Sequence, residues 1–302
     1  MVESIIKTAA RRVLRGYLSR FPLRDGKAWV YRHCHKALMP PERLVTVNMD
    51  LGFRMALDLM DPEQVKLYFY GHYHERYEAR LVAALLEHGG NFWDIGANIG
   101  YFTLAAAAAL KGRGQVAAFE PGANAFARLK ANVALNPVEN IALYNLAASD
   151  RQGQAQLYLG DDAADSGASL YRLNRPQDRV ETVAMVTVDG FLEQEGLARP
   201  EVMKVDVEGA ELAALRGAQG LLAQAPPMLL LEMEEKNLQA AGASRAAIQE
   251  FLGSYGYRPA GLRKGRWLLL PGVEGARGRN FLWFIPDLPA HRQKAQSVPV
   301  QL

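Results

Sequence analysis

One cysteine, Cys34, in 302 residues leaves the chain no intramolecular disulfide framework. That suits a reducing compartment, and a cytoplasmic location is expected. No window approaches the run of roughly 20 apolar residues that a membrane span requires. The blandest stretch, "TLAAAAAL" at residues 103–110, is far shorter and reads as a tightly packed helix. Charge of one sign is also scarce, with 35 Lys and Arg against 32 Asp and Glu, so no broad basic surface argues for a nucleic-acid partner. No internal repeat is visible. His33, Cys34 and His35 stand together in "HCHK", but no second cluster completes the four ligands of a closed zinc site, and no metal is expected there.

What is present is a globular composition, 49% hydrophobic, long enough for one large α/β domain and an accessory segment. The small cationic excess gathers early, at Lys7, Arg11, Arg12, Arg15, Arg20 and Arg24. In "SIIKTAARRVLRGYLSRF", Ile5, Ile6, Ala9, Val13, Tyr17 and Leu18 recur at helical spacing. Residues 1–40 therefore read as a basic amphipathic helical extension whose stripe packs on the main domain. A second reading places residues 1–24 in peripheral contact with an anionic membrane surface. Arginines interrupt any secretory core, whereas an organellar transit peptide shares the composition. After the break at residues 39–43, "LVTVNMDLGFRMALDL" has two apolar runs about a turn, as in a hairpin.

From Tyr77 the pattern is helical to "HGG", and then short apolar strands alternate with helices. The strands are "NFWDIG", "QVAAFEP", "IALYNLAAS", "VMKVDVEG" and "PMLLLEME". This alternation predicts an α/β fold, a doubly wound Rossmann-like sheet, mostly parallel. "RWLLLPG" and "RNFLWFIP" follow with no helix between them, which requires an antiparallel C-terminal edge strand. Residues 153–188 form a β-rich insertion within a domain spanning 41–290, and 291–302 read as a loose tail.

"DIGANIG" sits where a doubly wound sheet binds its ligand, beyond the carboxyl end of a strand. The dinucleotide fingerprint places a middle glycine in this loop; here the sequence is Gly96-Ala97-Asn98-Ile99-Gly100. Asp94 stands where it would repel a pyrophosphate, which disfavours an NAD(P) oxidoreductase. A cofactor with an amino-acid end, a cation and no phosphate fits better, and S-adenosylmethionine is such a cofactor. Glu120, followed by Pro121, ends the second strand at about the distance, ~20 residues, of an acidic group that accepts ribose hydroxyls.

In "KVDVEGAE", Lys204, Asp206 and Glu208 alternate with valines, so an extended strand turns all three to one side. Two carboxylates and a lysine in a central strand are costly unless they pair, bind a ligand or reach solvent at its end. Glu211 follows on the first helical turn, and Glu232 ends the next strand. A purely structural network about Lys204 is the competing explanation.

Together, "FWDIGANIGYFTL", "AAFEPGANAFARLKANVALN", "MKVDVEGAELAALRGA" and "LLLEME" resemble the FkbM family of S-adenosylmethionine-dependent methyltransferases. The resemblance runs from "YFYGHYHE" to "RNFLWFIP" and implies a class I methyltransferase fold. It also implies methyl transfer to a hydroxyl of a sugar, polyketide or related natural product, so glycan or small-molecule acceptors are the expected partners. Carried over by position, Asp94, Gly96, Ala97, Asn98 and Gly100 surround the methionine part and Glu120 the ribose. Ala147 and Ala148 lie against the adenine. Trp93 is bulkier than the small aliphatic residue often found before this aspartate.

Asp206 is the first choice for the base or acceptor-orienting group, followed by Glu208 and Glu232. His72 and His74 are candidates for a lid. Asp206 with Glu208 or Glu232 could also hold Mg²⁺, a version that the charge of Lys204 disfavours. A nucleic-acid methyltransferase would share the cofactor loop, but "DVEG" stands where base-amino methylation commonly uses a D/N-P-P-Y/F loop. A non-catalytic cofactor-binding scaffold is the remaining alternative. No feature specifies an oligomeric state.

Overall fold

A computed structural model of the chain describes residues 2–20, 26–160, 167–173, 179–296, 298 and 300–301. Two compact units divide at Arg76 and Tyr77, well beyond the boundary at residue 40 expected from composition.

The first unit holds the helices Val2–Arg20 and Lys27–Cys34, then β1 (Leu44–Asn48) and β2 (Arg54–Asp58) paired antiparallel, then the helix Pro62–Tyr70. Local chemistry fixes the last of these. The Asp61 side chain accepts the N–H groups of Glu63 and Gln64, Pro62 opens the first turn, and Gly71 closes it in the left-handed conformation. The apolar stripe read from residues 5–18 is split. Leu18 is buried with Leu14, whereas Ile6 and Val13 are exposed. Arg11 and Arg15 explain the rotation, because their guanidinium groups donate inward to the carbonyls of Leu38, Met39 and Tyr68.

The second unit carries β3 (Phe92–Ile95), β4 (Val116–Phe119), β5 (Ile141–Tyr144), β6 (Ala147–Ala148), β7 (Gly153–Tyr158), β8 (Val180–Val186) and β9 (Val202–Val205). After these come β10 (Met228–Glu232), β11 (Arg258–Arg263), β12 (Arg266–Leu269), β13 (Asn280–Phe284) and β14 (Val300–Gln301). The main sheet has the order β14-β12-β11-β13-β10-β9-β3-β4-β5. From β5 to β10 every pairing is parallel. Every residue of β3, β4, β9 and β10 is buried, as expected of strands covered on both faces. Three strands run against the rest: β13, inserted between β10 and β11, and β12 with β14, which lies parallel to it at the edge. The order leaves β3 towards β4 and β5 on one side and resumes at β9 on the other, so the reversal lies between β3 and β9.

Two continuous readings break in the structure. The segment "IALYNLAAS" divides into β5 and β6, and β6 joins a separate sheet with β8 and β7. At the break, the Asn145 amide donates to the carbonyls of Glu120 and Pro121 at 2.8 Å each. The segment "AELAALRGAQGLL", whose apolar residues recur at helical spacing throughout, is likewise divided, into the helices Glu211–Arg216 and Gln219–Gln224. Between them Gly217 lies so close to Ser149 that a Cβ would come within 2.0 Å of its carbonyl oxygen.

The expectation of a loose tail is corrected for its described part. Pro289–Gln296 is a helix that buries His291 and Ala295. The Ile285 N–H donates to His291 Nδ1 and His291 Nε2–H donates to the Pro226 carbonyl, both at 2.9 Å. Burial holds this imidazole at about 4, so it stays neutral. Lys294 adds an ion pair with Glu201 at 3.0 Å. Polar residues anchor this tail, which is why a hydropathy pattern misses it. Residues 297, 299 and 302 of the expected tail fall outside the described residues, as do 161–166 and 174–178 of the insertion and 21–25 at the start of the chain.

Candidate active site

The loop after β3 is shaped by its approach to the neighbouring strand. Gly96 has φ 84°, and a Cβ there would lie 1.8 Å from the Asp206 carbonyl oxygen, so no larger residue fits. The loop's amides are already engaged. Gly96 and Ala97 donate to the Phe119 carbonyl, Asn98 to Glu120 Oε2, Ile99 to the Asn98 side chain and Gly100 to the Ala97 carbonyl. A phosphate-binding loop works by presenting such N–H groups to its ligand; this one turns all five inward.

Asp94 lies beneath the loop, fully buried. Thr103 Oγ1 donates to its Oδ2 at 2.6 Å, while Oδ1 has no hydrogen-bond partner among the described residues. Burial pushes this carboxyl above its ordinary value, against the opposing influence of Lys204 and Thr103. A buried acceptor with an open lone pair suits a cationic ligand group. Glu120 accepts the N–H groups of Asn98 and Gly122 through separate oxygens, both at 2.8 Å, and so ties the loop to the end of β4. Pro121 is half-buried behind it. Trp93 packs under the loop, its ring 5.2 Å from that of Phe119.

Beyond β9 the chain turns. Asp206, Glu208 and Glu232 each bring a carboxylate oxygen within 4.8 Å of the other two. The convergence does not use the strand alternation read from the sequence. β9 ends at Val205, and Glu208 reaches the cluster from a turn in which its φ is 51°. This left-handed conformation is strained for a residue with a side chain, and such strain is concentrated at functional sites.

Each carboxylate has an anchor. Lys204 Nζ donates to Asp206 Oδ2 at 2.8 Å and also lies 4.7 Å from the Phe102 ring centroid. Arg279 pairs with Glu232 at 2.8 Å. The Asn237 amide donates to Glu208 Oε2, and Ser169 Oγ donates to the Glu208 carbonyl at 2.7 Å. Burial alone would raise Asp206, but Lys204, a hydrogen bond with Glu232 and the Arg279 charge outweigh it and hold the carboxyl below its ordinary value. Glu211, expected on the first helical turn, caps the turn before it by accepting the N–H groups of Val207 and Gly209.

The structure thus brings Asp206, Glu208 and Glu232 together and sets Asp94, Gly96, Ala97, Asn98, Gly100 and Glu120 in and around one loop. Ala147 and Ala148, expected at the adenine, are buried in β6, while Asn145 beside them is exposed and Leu146 half-buried. His72 and His74 belong to the first unit, where His74 lies 3.8 Å from Glu63 and 3.9 Å from Glu75. Sequence reading missed Thr103, Asn237, Ser169 and Arg279. Only Thr103 had a signal, at i+9 from Asp94 in the helix opened by the glycine loop.

The profile of the Methyltransferase FkbM domain matches residues 94–259, more than half of the chain. The chain belongs to the FkbM methyltransferase family. It is 31% identical over 144 residues to hexuronic acid methyltransferase AglP of Haloferax volcanii, covering 47% of this chain and 56% of that protein. To AMB antimetabolite synthetase AmbE of Pseudomonas aeruginosa it is 27% identical over 198 residues, covering 54% of this chain and 9% of that protein. The chain therefore spans less than two thirds of either relative. The crystal structure of methyltransferase FkbM from Methylobacillus flagellatus KT shares 16% identity at a TM-score of 0.45, covering 73% of this chain and 52% of that one.

Proposed function

We propose that this FkbM methyltransferase uses S-adenosylmethionine to methylate a hydroxyl oxygen of a sugar, polyketide or related natural product. One observation carries the reading: three anchored carboxylates converge at the ends of β9 and β10, next to a loop whose amides are turned away from any phosphate. The similarity to a hexuronic acid methyltransferase favours a sugar among these acceptors.

The residues fit the cofactor. The open Oδ1 of Asp94 takes the ammonium of the methionine end, and Glu120, with Pro121 beside it, takes the ribose hydroxyls. Gly96, Ala97, Asn98 and Gly100 form the wall, and Asn145 with Leu146 supply the adenine contact next to Ala147 and Ala148. When bound, S-adenosylmethionine supplies an electrophilic methyl group. The protein must then hold the acceptor oxygen in line and remove its proton. Asp206, kept ionised by Lys204, orients the acceptor hydroxyl. Glu208, set by Asn237 and Ser169, takes the proton. Glu232, paired with Arg279, lies against Asp206 and helps to hold it ionised. With two cations already among the carboxylates, Mg²⁺ is not part of this mechanism.

The test is methyl transfer from labelled S-adenosylmethionine to a panel of uronic acids, hexoses and phenolic polyketides, with the methylated atom located by NMR. Calorimetry with S-adenosylhomocysteine and NAD(P)H accompanies it. Label on an acceptor oxygen, insensitive to EDTA, is the expected result. Label on nitrogen would overturn the acceptor class. Loss with EDTA and recovery with Mg²⁺ would make the cluster a metal site. Failure to bind S-adenosylhomocysteine would remove the cofactor assignment.

A further inference from the structure

We propose that the exposed faces of the helices Val2–Arg20 and Lys27–Cys34 dock the protein on an anionic membrane surface. This inference makes no use of the catalytic assignment.

The charge of the chain is unevenly divided. Residues 1–40 contain nine Lys and Arg against two Asp and Glu, a net +7, and the remainder of the chain is net −4. The overall +3 conceals this contrast. Apolar exposure is divided in the same way. Of the six large apolar side chains most open to solvent among the described residues, Ile6 at 61%, Val13 at 73% and Trp29 at 60% lie in this segment.

The exposed face is geometrically defined. On the helix Val2–Arg20, residues Ile6, Ala9, Val13 and Gly16 are all exposed, at spacings of three, four and three. They form one stripe, flanked by the exposed Lys7 and Arg12. The opposite side is anchored: Leu14 and Leu18 are buried, and Arg11 and Arg15 donate to backbone carbonyls of the same unit. The stripe is thus fixed outward before it meets a partner. On the helix Lys27–Cys34, Trp29 is exposed with Arg32 and His33, and Lys36 follows.

Charge complementarity selects the occupant. Apolar side chains flanked by Lys and Arg match an acyl boundary beneath anionic headgroups, and an exposed indole suits the headgroup level. A nucleic acid would satisfy the cations but leave Ile6 and Val13 in water. No helix among the described residues is long and apolar enough to cross a membrane, so the segment lies on the surface. One narrow stripe gives weak, salt-sensitive binding.

The experiment is co-sedimentation of the full chain with vesicles of phosphatidylcholine alone or mixed with phosphatidylglycerol, at low and high salt. The expected result is pelleting with the mixed vesicles only, lost at high salt. Each of Arg12→Gln and Arg32→Gln should weaken binding about fivefold, and Ile6→Glu with Val13→Glu should abolish it. Circular dichroism checks that the variants fold, since every altered side chain points outward. Absence of pelleting would overturn the proposal, as would equal pelleting with neutral vesicles. So would full binding by the Ile6→Glu, Val13→Glu variant, or preferential binding of RNA. A fall in molecular mass in that variant, read by light scattering, would show that a second copy covers the stripe instead. Affinity for S-adenosylhomocysteine is read separately, so failure here and failure of the cofactor assignment remain distinguishable.

Discussion

Asp94 on β3 and Asp206 just beyond the end of its neighbour β9 lie close in the fold, yet their carboxyls are displaced in opposite directions. Asp94 is buried with one neutral donor, Thr103, and an open Oδ1, and burial raises it. Asp206 has Lys204 on one oxygen and Arg279 close by, and it is held low. Lys204 stands opposite Asp94 in the sheet register, but its hydrogen bond goes to Asp206. The difference suits the roles proposed for the two groups. In the proposed site, a carboxyl with no cation hydrogen-bonded to it is left for a cationic ligand, and burial disfavours its charged form until that ligand arrives. A carboxylate that orients a neutral hydroxyl must stay ionised throughout, and its cations are therefore built in.

The largest effect should come from breaking the acceptor side. Asp206→Asn and Glu208→Gln are each expected to lower kcat about 10²–10⁴-fold with little change in S-adenosylhomocysteine affinity. Asp206→Asn should also destabilise the fold by about 3 kcal/mol, because Lys204, 4% exposed, loses its carboxylate. On the cofactor side the balance reverses. Asp94→Asn should weaken S-adenosylhomocysteine binding about 100-fold yet raise the melting temperature of the ligand-free protein. Calorimetry and thermal unfolding of both variants test this crossing. If Asp94→Asn binds normally or melts lower, the two carboxylates do not differ as described.

A smaller effect sharpens the comparison through pH. Activity that needs ionised Asp206 is lost as pH falls through its pKa. Removing a nearby cation raises that pKa, so the acid limb of kcat/KM should move to higher pH in Arg279→Met and further in Lys204→Met. Unmoved limbs in both variants would assign the limb to another group.

The loop that forms one side of the proposed site was legible in the sequence because its signals are local: a glycine loop, an acid before it and an acid ending the next strand. The strand–helix alternation was legible because β3, β4, β9 and β10 are continuous apolar runs. The acceptor side was only half legible. Its carboxylates were named, but the alternation that grouped them ends at Val205, and the left-handed turn that delivers Glu208 leaves no periodic mark. Its anchors were invisible for a different reason. Arg279 lies 47 residues beyond Glu232, and Ser169 reaches Glu208 from the insertion, so only the folded chain joins them. The tail was misread because His291 and Lys294 are polar residues that act by hydrogen bonding and charge.

Glu211 asks whether the contrast extends to a third carboxyl, one held by backbone donors alone. It accepts the N–H of Val207 at 3.1 Å and that of Gly209 at 3.1 and 3.0 Å, and so shapes the turn carrying Asp206 and Glu208. Burial nevertheless raises it from 4.5 to about 8. Between these values the folded state holds a proton that the unfolded state has released, so stability should fall as pH rises through the window. The slope is at most about 1.4 kcal/mol per pH unit. Glu211→Gln keeps an acceptor oxygen for the turn and has no proton to lose, so its stability should be flatter with pH. Urea unfolding of both proteins at the two ends of the window measures the difference. Equal slopes would mean that the backbone donors outweigh burial and keep Glu211 ionised, as cations do for Asp206; a steeper wild-type slope would place it with Asp94, among the carboxyls that neutral donors alone do not hold charged.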